Sequence, residues 1–165
     1  MPRKRPGALR AASRPSSQPP RRWDTPPPDR IHGLSAATSL AVHRYEALSD
    51  DYYVFPGVIA YALRRYRDFL GPPGRRPRYP YLDDCDCRSC SFRDVRHARD
   101  ALDVAVRELP PRARAELGRV VAALDRSYLA RTLPDPLAHT RRRRGTDGWW
   151  YRRLEGCRYA QSGSI

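Results

Sequence analysis

Seventeen prolines decide where this 165-residue chain can hold regular structure, because proline has no backbone N–H and clashes within a helix. They crowd the first thirty residues, as in Pro19-Pro20 and Pro26-Pro27-Pro28. They return at Pro72-Pro73, Pro110-Pro111, Pro134 and Pro136. The stretches between these breaks are the places where a core can form, and apolar residues, 40% of the chain, are frequent enough to build one.

Those stretches carry helical spacing. Leu40, Val42, Tyr45 and Leu48 give a weak first helix from Ser35. Asp50 and Asp51 offer N-cap chemistry for a second, with Pro56 at an early position. Its apolar positions are Val58, Ile59, Ala62, Leu63, Tyr66, Phe69 and Leu70, and Gly71-Pro72-Pro73-Gly74 ends it. Ser91, with Asp94 three residues on, resembles a capping box. It precedes a stripe of Phe92, Val95, Ala98, Leu102, Ala105, Val106 and Leu109. After Pro110-Pro111, Leu117, Val120, Val121, Leu124 and Tyr128 form a further stripe. Two amphipathic helices across so short a turn predict an antiparallel αα-hairpin.

The fold expectation is therefore all-α: a small irregular helical domain of four to five helices that includes this hairpin. Residues 1–30 are Pro- and Arg-rich, and Trp23 is their one aromatic residue. They cannot bury enough surface to offset the entropy of ordering, which predicts a disordered arm. Residues 31–138 make the helical core, with a cysteine-containing loop at 75–90. Residues 139–165 make a basic, aromatic C-terminal segment.

Charge follows the same division. Of the net +14, residues 1–30 contribute eight basic and two acidic residues, and 139–165 contribute seven and two. The interval between them is nearly balanced, at seventeen and fourteen. Arginine supplies all the basic residues except Lys4, a choice that an Ala-, Pro- and Gly-rich composition makes uninformative. The location of the charge is the informative part. Basic ends attract polyanions.

No apolar run approaches the roughly 20 residues that cross a bilayer. The basic start, Met1-Pro2-Arg3-Lys4-Arg5-Pro6, lacks a following apolar segment, so no secretory signal is expected and no membrane partner. A transit peptide is disfavoured by the prolines. The expected location is cytoplasmic, where thiols stay reduced or bind metal.

Cys85, Cys87 and Cys90 have the spacing C-x-C-x-x-C within Asp83-Asp84-Cys85-Asp86-Cys87-Arg88-Ser89-Cys90. Three soft thiolates in six residues can wrap a tetrahedral zinc ion. The flanking aspartates disfavour a bare thiolate cluster unless a cation is present. Cys157 is the best fourth ligand, with His97, His32, His43 and His139 as alternatives. The bland alternative is three inert thiols at a helix start.

Two basic–aromatic groups point to nucleic acid. Arg75, Arg76 and Arg78 follow Tyr61, Arg64, Arg65, Tyr66 and Arg67 and run into Tyr79 and Tyr81. Arg141, Arg142, Arg143 and Arg144 form a continuous run. Solvated arginines and outward tyrosine hydroxyls explain the first group more simply. Trp149, Trp150 and Tyr151 are too apolar to remain in water: they pack back on the core, or they serve as a stacking platform or a partner-docking motif.

Enzyme signatures are absent: there is no G-x-S-x-G, H-E-x-x-H, P-loop or G-x-G-x-x-G. The expected function is a non-catalytic accessory or regulatory protein, zinc-stabilised, that associates with nucleic acid through its basic arms. The alternatives are a protein–protein interaction adaptor with no nucleic-acid role and, third, an unrecognised small enzyme.

Overall fold

The computed structural model describes residues 29–71, 74, 76–81, 93–140 and 148–156. Among these the fold is helical, with four α-helices and no strand. They are α1 (Ala36–Leu48), α2 (Val58–Leu70), α3 (Val95–Glu108) and α4 (Pro111–Arg131). Single 3₁₀ turns follow at Ala138–Thr140 and Trp149–Tyr151. All but residues 29 and 30 of the predicted N-terminal arm lies outside the described residues.

α2 and α4 bury the stripes their spacing predicts. Val58, Ile59, Ala62, Leu63, Tyr66 and Leu70 are buried on α2, with Phe69 partly so. Leu117, Val121 and Tyr128 are buried on α4, with Val120 and Leu124 packed against them. α3 packs on both helices, more extensively on α2 than on α4. Leu109, in the two-residue link to α4, is fully buried, while Pro111 supplies the fixed φ that starts α4.

α1 departs from its expected face. Leu40 and Leu48 are exposed, Leu48 at 82%, and the buried residues are Thr38, Ser39, Val42 and Glu46. Hydrogen bonds orient this helix where an apolar stripe does not. The Ser39 hydroxyl accepts from Ile31 N (3.0 Å) and donates to Ser35 O (2.9 Å). The Glu46 carboxylate crosses to the start of α2 and accepts from Gly57 N and Ile59 N, both at 2.9 Å.

That contact corrects the expected cap of α2. Gly57, at φ 85°, holds the cap position, and Glu46 supplies the oxygens. Asp51 instead accepts from Tyr53 N at 2.8 Å and builds the preceding turn, and Pro56 lies just outside the helix. A carboxylate held in space by another helix can neutralise orphan N–H groups as well as a sequence neighbour can. α3 likewise starts later than the sequence suggests. Asp94 is its cap and accepts from Arg96 N, while Ser91 and Phe92 lie outside the described residues.

The same device closes four further ends. α1 is capped by Ser35, whose N–H and hydroxyl both donate to Glu116 of α4. The last carbonyls of α2 receive Arg78, at 2.7 Å from Phe69 O. Those of α3 receive Arg114, at 2.6 Å from Arg107 O and 3.2 Å from Leu109 O. Those of α4 receive Arg153, which donates to Leu129 O at 3.1 Å and also to Thr132 O. Acids sit at N-termini and guanidiniums at C-termini, as the helix dipole favours.

Residues 148–156 cross this assembly. Leu154 N donates to Leu133 O (2.9 Å) and Asp135 N to Arg152 O (3.0 Å) around an isolated bridge between Pro134 and Arg153. Further on, Gly156 N donates to Pro80 O at 2.9 Å beside a bridge between Tyr81 and Gly156.

Candidate nucleic-acid surface and the buried ion network

Charge is sorted by depth in this fold. On the inside, Arg96 is fully buried at the start of α3. Its guanidinium donates to Asp94 at 2.7–3.0 Å and to Glu155 at 2.6 Å. Burial alone would favour loss of its proton; the bonds to Asp94 and then Glu155 outweigh this and raise its pKa, so the ion stays charged. One turn on, Arg99 donates to Asp125 at 2.9–3.2 Å, to Asp103 at 3.3 Å, and lies 4.2 Å over the Trp150 ring. The Tyr66 hydroxyl donates to the same Asp125 at 2.8 Å.

The C-terminal aromatics complete the network. Trp150 is buried, and its indole N–H donates to Asp100 at 2.8 Å. The Tyr151 hydroxyl donates to the second oxygen of Asp100. Tyr128, buried under Trp149 and Phe69, donates its hydroxyl to Trp150 O at 3.1 Å. Burial raises the Asp100 carboxyl pKa, and the two donated bonds pull against that rise. Burial first, and then the nearby carboxylates Asp125 and Asp100 respectively, push the Tyr66 and Tyr151 hydroxyls far up, so both remain donors.

Trp150 faces its own core, with Trp149 and Tyr151 half-buried beside it.

The outside is the complement. Of the described acidic residues, Glu46, Asp94 and Asp135 are buried, and Asp100, Asp103, Glu116, Asp125 and Glu155 are partly buried. That leaves five exposed carboxylates against eleven exposed arginines. The exposed part of the described residues is thus more lopsided in charge, at eleven to five, than the described residues as a whole, at eighteen arginines to thirteen carboxylates. A groove of about 600 Å³ between residues 29–32 and α2 shows a mixed version of it, lined by Arg30, Tyr61, Arg64 and Arg67 but also by Asp29 and Asp68.

The residues singled out from sequence divide accordingly. Arg76 is exposed, but Arg78 is partly buried and committed to the end of α2. Tyr66 belongs to the core, whereas Tyr61 is exposed beside Arg64, 5.7 Å from its ring. Arg75, Arg141, Arg142, Arg143 and Arg144 lie outside the described residues, as do Cys85, Cys87, Cys90 and Cys157. Among the described residues no three His, Cys, Asp or Glu side chains gather as a metal site. His43 is occupied by Asp29 O at 2.9 Å and Glu46 at 3.4 Å, and the His97 ring lies edge-on to Tyr151.

Sequence reasoning missed the buried arginines. Arg96 and Arg99 flank the apolar stripe of α3 and look like ordinary polar-face residues. The local signals were Asp94, two residues before Arg96, and Asp103, four after Arg99; the remaining partners lie 26 and 59 residues away.

No protein-family model matches this chain, and no curated protein or solved structure matches it.

Proposed function

We propose that this chain is a non-catalytic accessory or regulatory protein that associates with nucleic acid through arginine-rich surfaces and basic terminal segments, one part of it organised by zinc. The observation that carries the reading is the withdrawal of carboxylates into helix caps and buried ion pairs, which leaves arginine as the dominant exposed charge among the described residues. Arginine presents a planar fork that matches phosphate oxygens, and neutralised phosphates release counterions. The run Arg141–Arg144 and the basic first thirty residues add to the same field.

The zinc component rests on a different observation. Gly156, adjacent to Cys157, is hydrogen-bonded to Pro80, five residues before Cys85. Glu155 is ion-paired to Arg96, six residues after Cys90. The chain segments that carry the four thiols thus start from neighbouring points, within the reach of about 3.3–3.6 Å per residue. Cys85, Cys87, Cys90 and Cys157 supply the soft donors that zinc favours.

A second reading, a protein–protein adaptor, draws on Leu48, Tyr52 and Tyr53, which are exposed in close succession after α1. Salt separates the two. Polyanion binding through six or more phosphate contacts falls about a thousandfold or more between 50 and 200 mM salt, whereas an apolar contact is nearly indifferent. Titration of labelled DNA and RNA across this range should show the steep loss, and a flat profile would discard the nucleic-acid reading. Elemental analysis of protein purified without chelator should find about one zinc per chain. Cys87→Ser should abolish it, and Cys157→Ser should weaken it.

A further inference from the structure

α4 sorts its charges by face. Its two carboxylates are both engaged by other helices. Glu116 accepts from Ser35 and, at 2.5 Å, from the Thr38 hydroxyl, while Asp125 holds Arg99 and Tyr66. Arg112, Arg119 and Arg126 are exposed and stand seven residues apart. Seven residues advance a helix by about 10.5 Å, and they return the side chain to within about 20° of the same direction. The three guanidiniums therefore form one line along the outer face. The exposed positions between them on that face are Ala115, Ala122 and Ala123, so no bulky side chain there keeps a partner at a distance.

A helix face that only confers solubility mixes signs at i,i+4. Glu116 has that spacing from Arg112, yet its oxygens are spent on Ser35 and Thr38. Among the described residues none of the three arginines makes an ion pair. Glu116 stays ionised near Arg119 and offsets part of their mutual repulsion; the remainder is what an anionic partner relieves.

We propose that this face of α4 is the folded core's docking surface for the phosphate backbone of a double-stranded nucleic acid. The proposal rests on the nucleic-acid reading above and names a surface for it within the helical core. A duplex fits better than a single strand because the face has no exposed aromatic on which an unpaired base could stack.

The test uses the full chain, with Arg112→Gln, Arg119→Gln and Arg126→Gln combined, against a labelled random-sequence duplex over a range of salt. Glutamine preserves helix propensity, and equal melting midpoints confirm an intact fold. The log–log salt slope should fall by about 2–3, close to 0.9 for each phosphate no longer neutralised. Arg119→Gln alone should lower it by about 0.9. A control combining Arg44→Gln, Arg93→Gln and Arg152→Gln removes as much charge from other exposed positions and should change the slope less. A triple variant with the native slope, or a control whose slope falls as far, would overturn the assignment to α4 while leaving nucleic-acid binding standing. Weakened binding to phosphatidylserine vesicles with unchanged binding to the duplex would also overturn it and mark a membrane-facing surface. A native chain that fails to bind duplex at any salt would remove the broader reading as well.

Discussion

α3 and α4 are neighbours in sequence and similarly rich in arginine, but they use it in opposite ways. α3 turns Arg96 and Arg99 inward, at 0% and 8% exposure. α4 leaves Arg112, Arg114, Arg119 and Arg126 exposed. Helix propensity does not separate them, since both are well-formed helices. The placement of carboxylates does. Asp94, Asp125 and Glu155 surround the inner side of α3 and supply enough charge-assisted bonds to offset desolvation of two guanidiniums. The acids of α4 are drawn off to α1 and α3, so its own arginines have no reason to turn in. In an arginine-rich chain, burial of the guanidinium is decided by where the acids go.

The sharpest way to break this comparison is Arg96→Ala. It strands Asp94 and Glu155 around an empty site and should cost about 3–5 kcal/mol. The equivalent change on the outer face, Arg112→Ala, should stay within about 0.5 kcal/mol. Urea unfolding of both variants measures the contrast, and similar values would show that the two helices do not differ as described.

A smaller effect is expected where the network meets the C-terminal aromatics. Asp100→Ala leaves the Trp150 indole N–H and the Tyr151 hydroxyl without their acceptor and should cost about 2–3 kcal/mol. Tryptophan fluorescence should shift to the red as Trp150 gains access to water, and unchanged emission would show that Asp100 does not hold the segment.

The smallest and most specific effect is in acid. Bonds from Thr38 and then Ser35 lower the Glu116 carboxyl from its ordinary 4.5 to about 2. A depressed pKa means that the contribution is present above about pH 4.5 and is lost as pH falls toward 2. Glu116→Gln should therefore have a lower melting midpoint near neutrality and a shallower decline between those values. An acid profile identical to the native one would detach Glu116 from the start of α1.

Much of this arrangement could be read along the chain. Proline and glycine pairs marked the C-terminal end of α2 and the start of α4, because missing N–H groups and positive φ act on the residue that carries them. The apolar stripes of α2 and α4 were equally legible, since burial at helical spacing needs no knowledge of the partner. α1 was legible only in part for the same reason: Val42 and Tyr45 meet the core, and the other two positions do not. Its orientation depends on what Ser39 and Glu46 meet, and Leu40 and Leu48 remain outside.

The sequence by itself thus determined where helices could run, which faces of α2 and α4 were apolar, and that the net charge was strongly positive. Only the tertiary structure decided which charges are inside, which carboxylate caps which helix, and that Trp150 closes over Arg99 and Asp100. An apolar side chain is buried against almost any apolar neighbour, so its fate follows from local pattern. A charge is buried only where particular oxygens or guanidiniums converge on it, and in this chain those partners lie as far as 59 residues away.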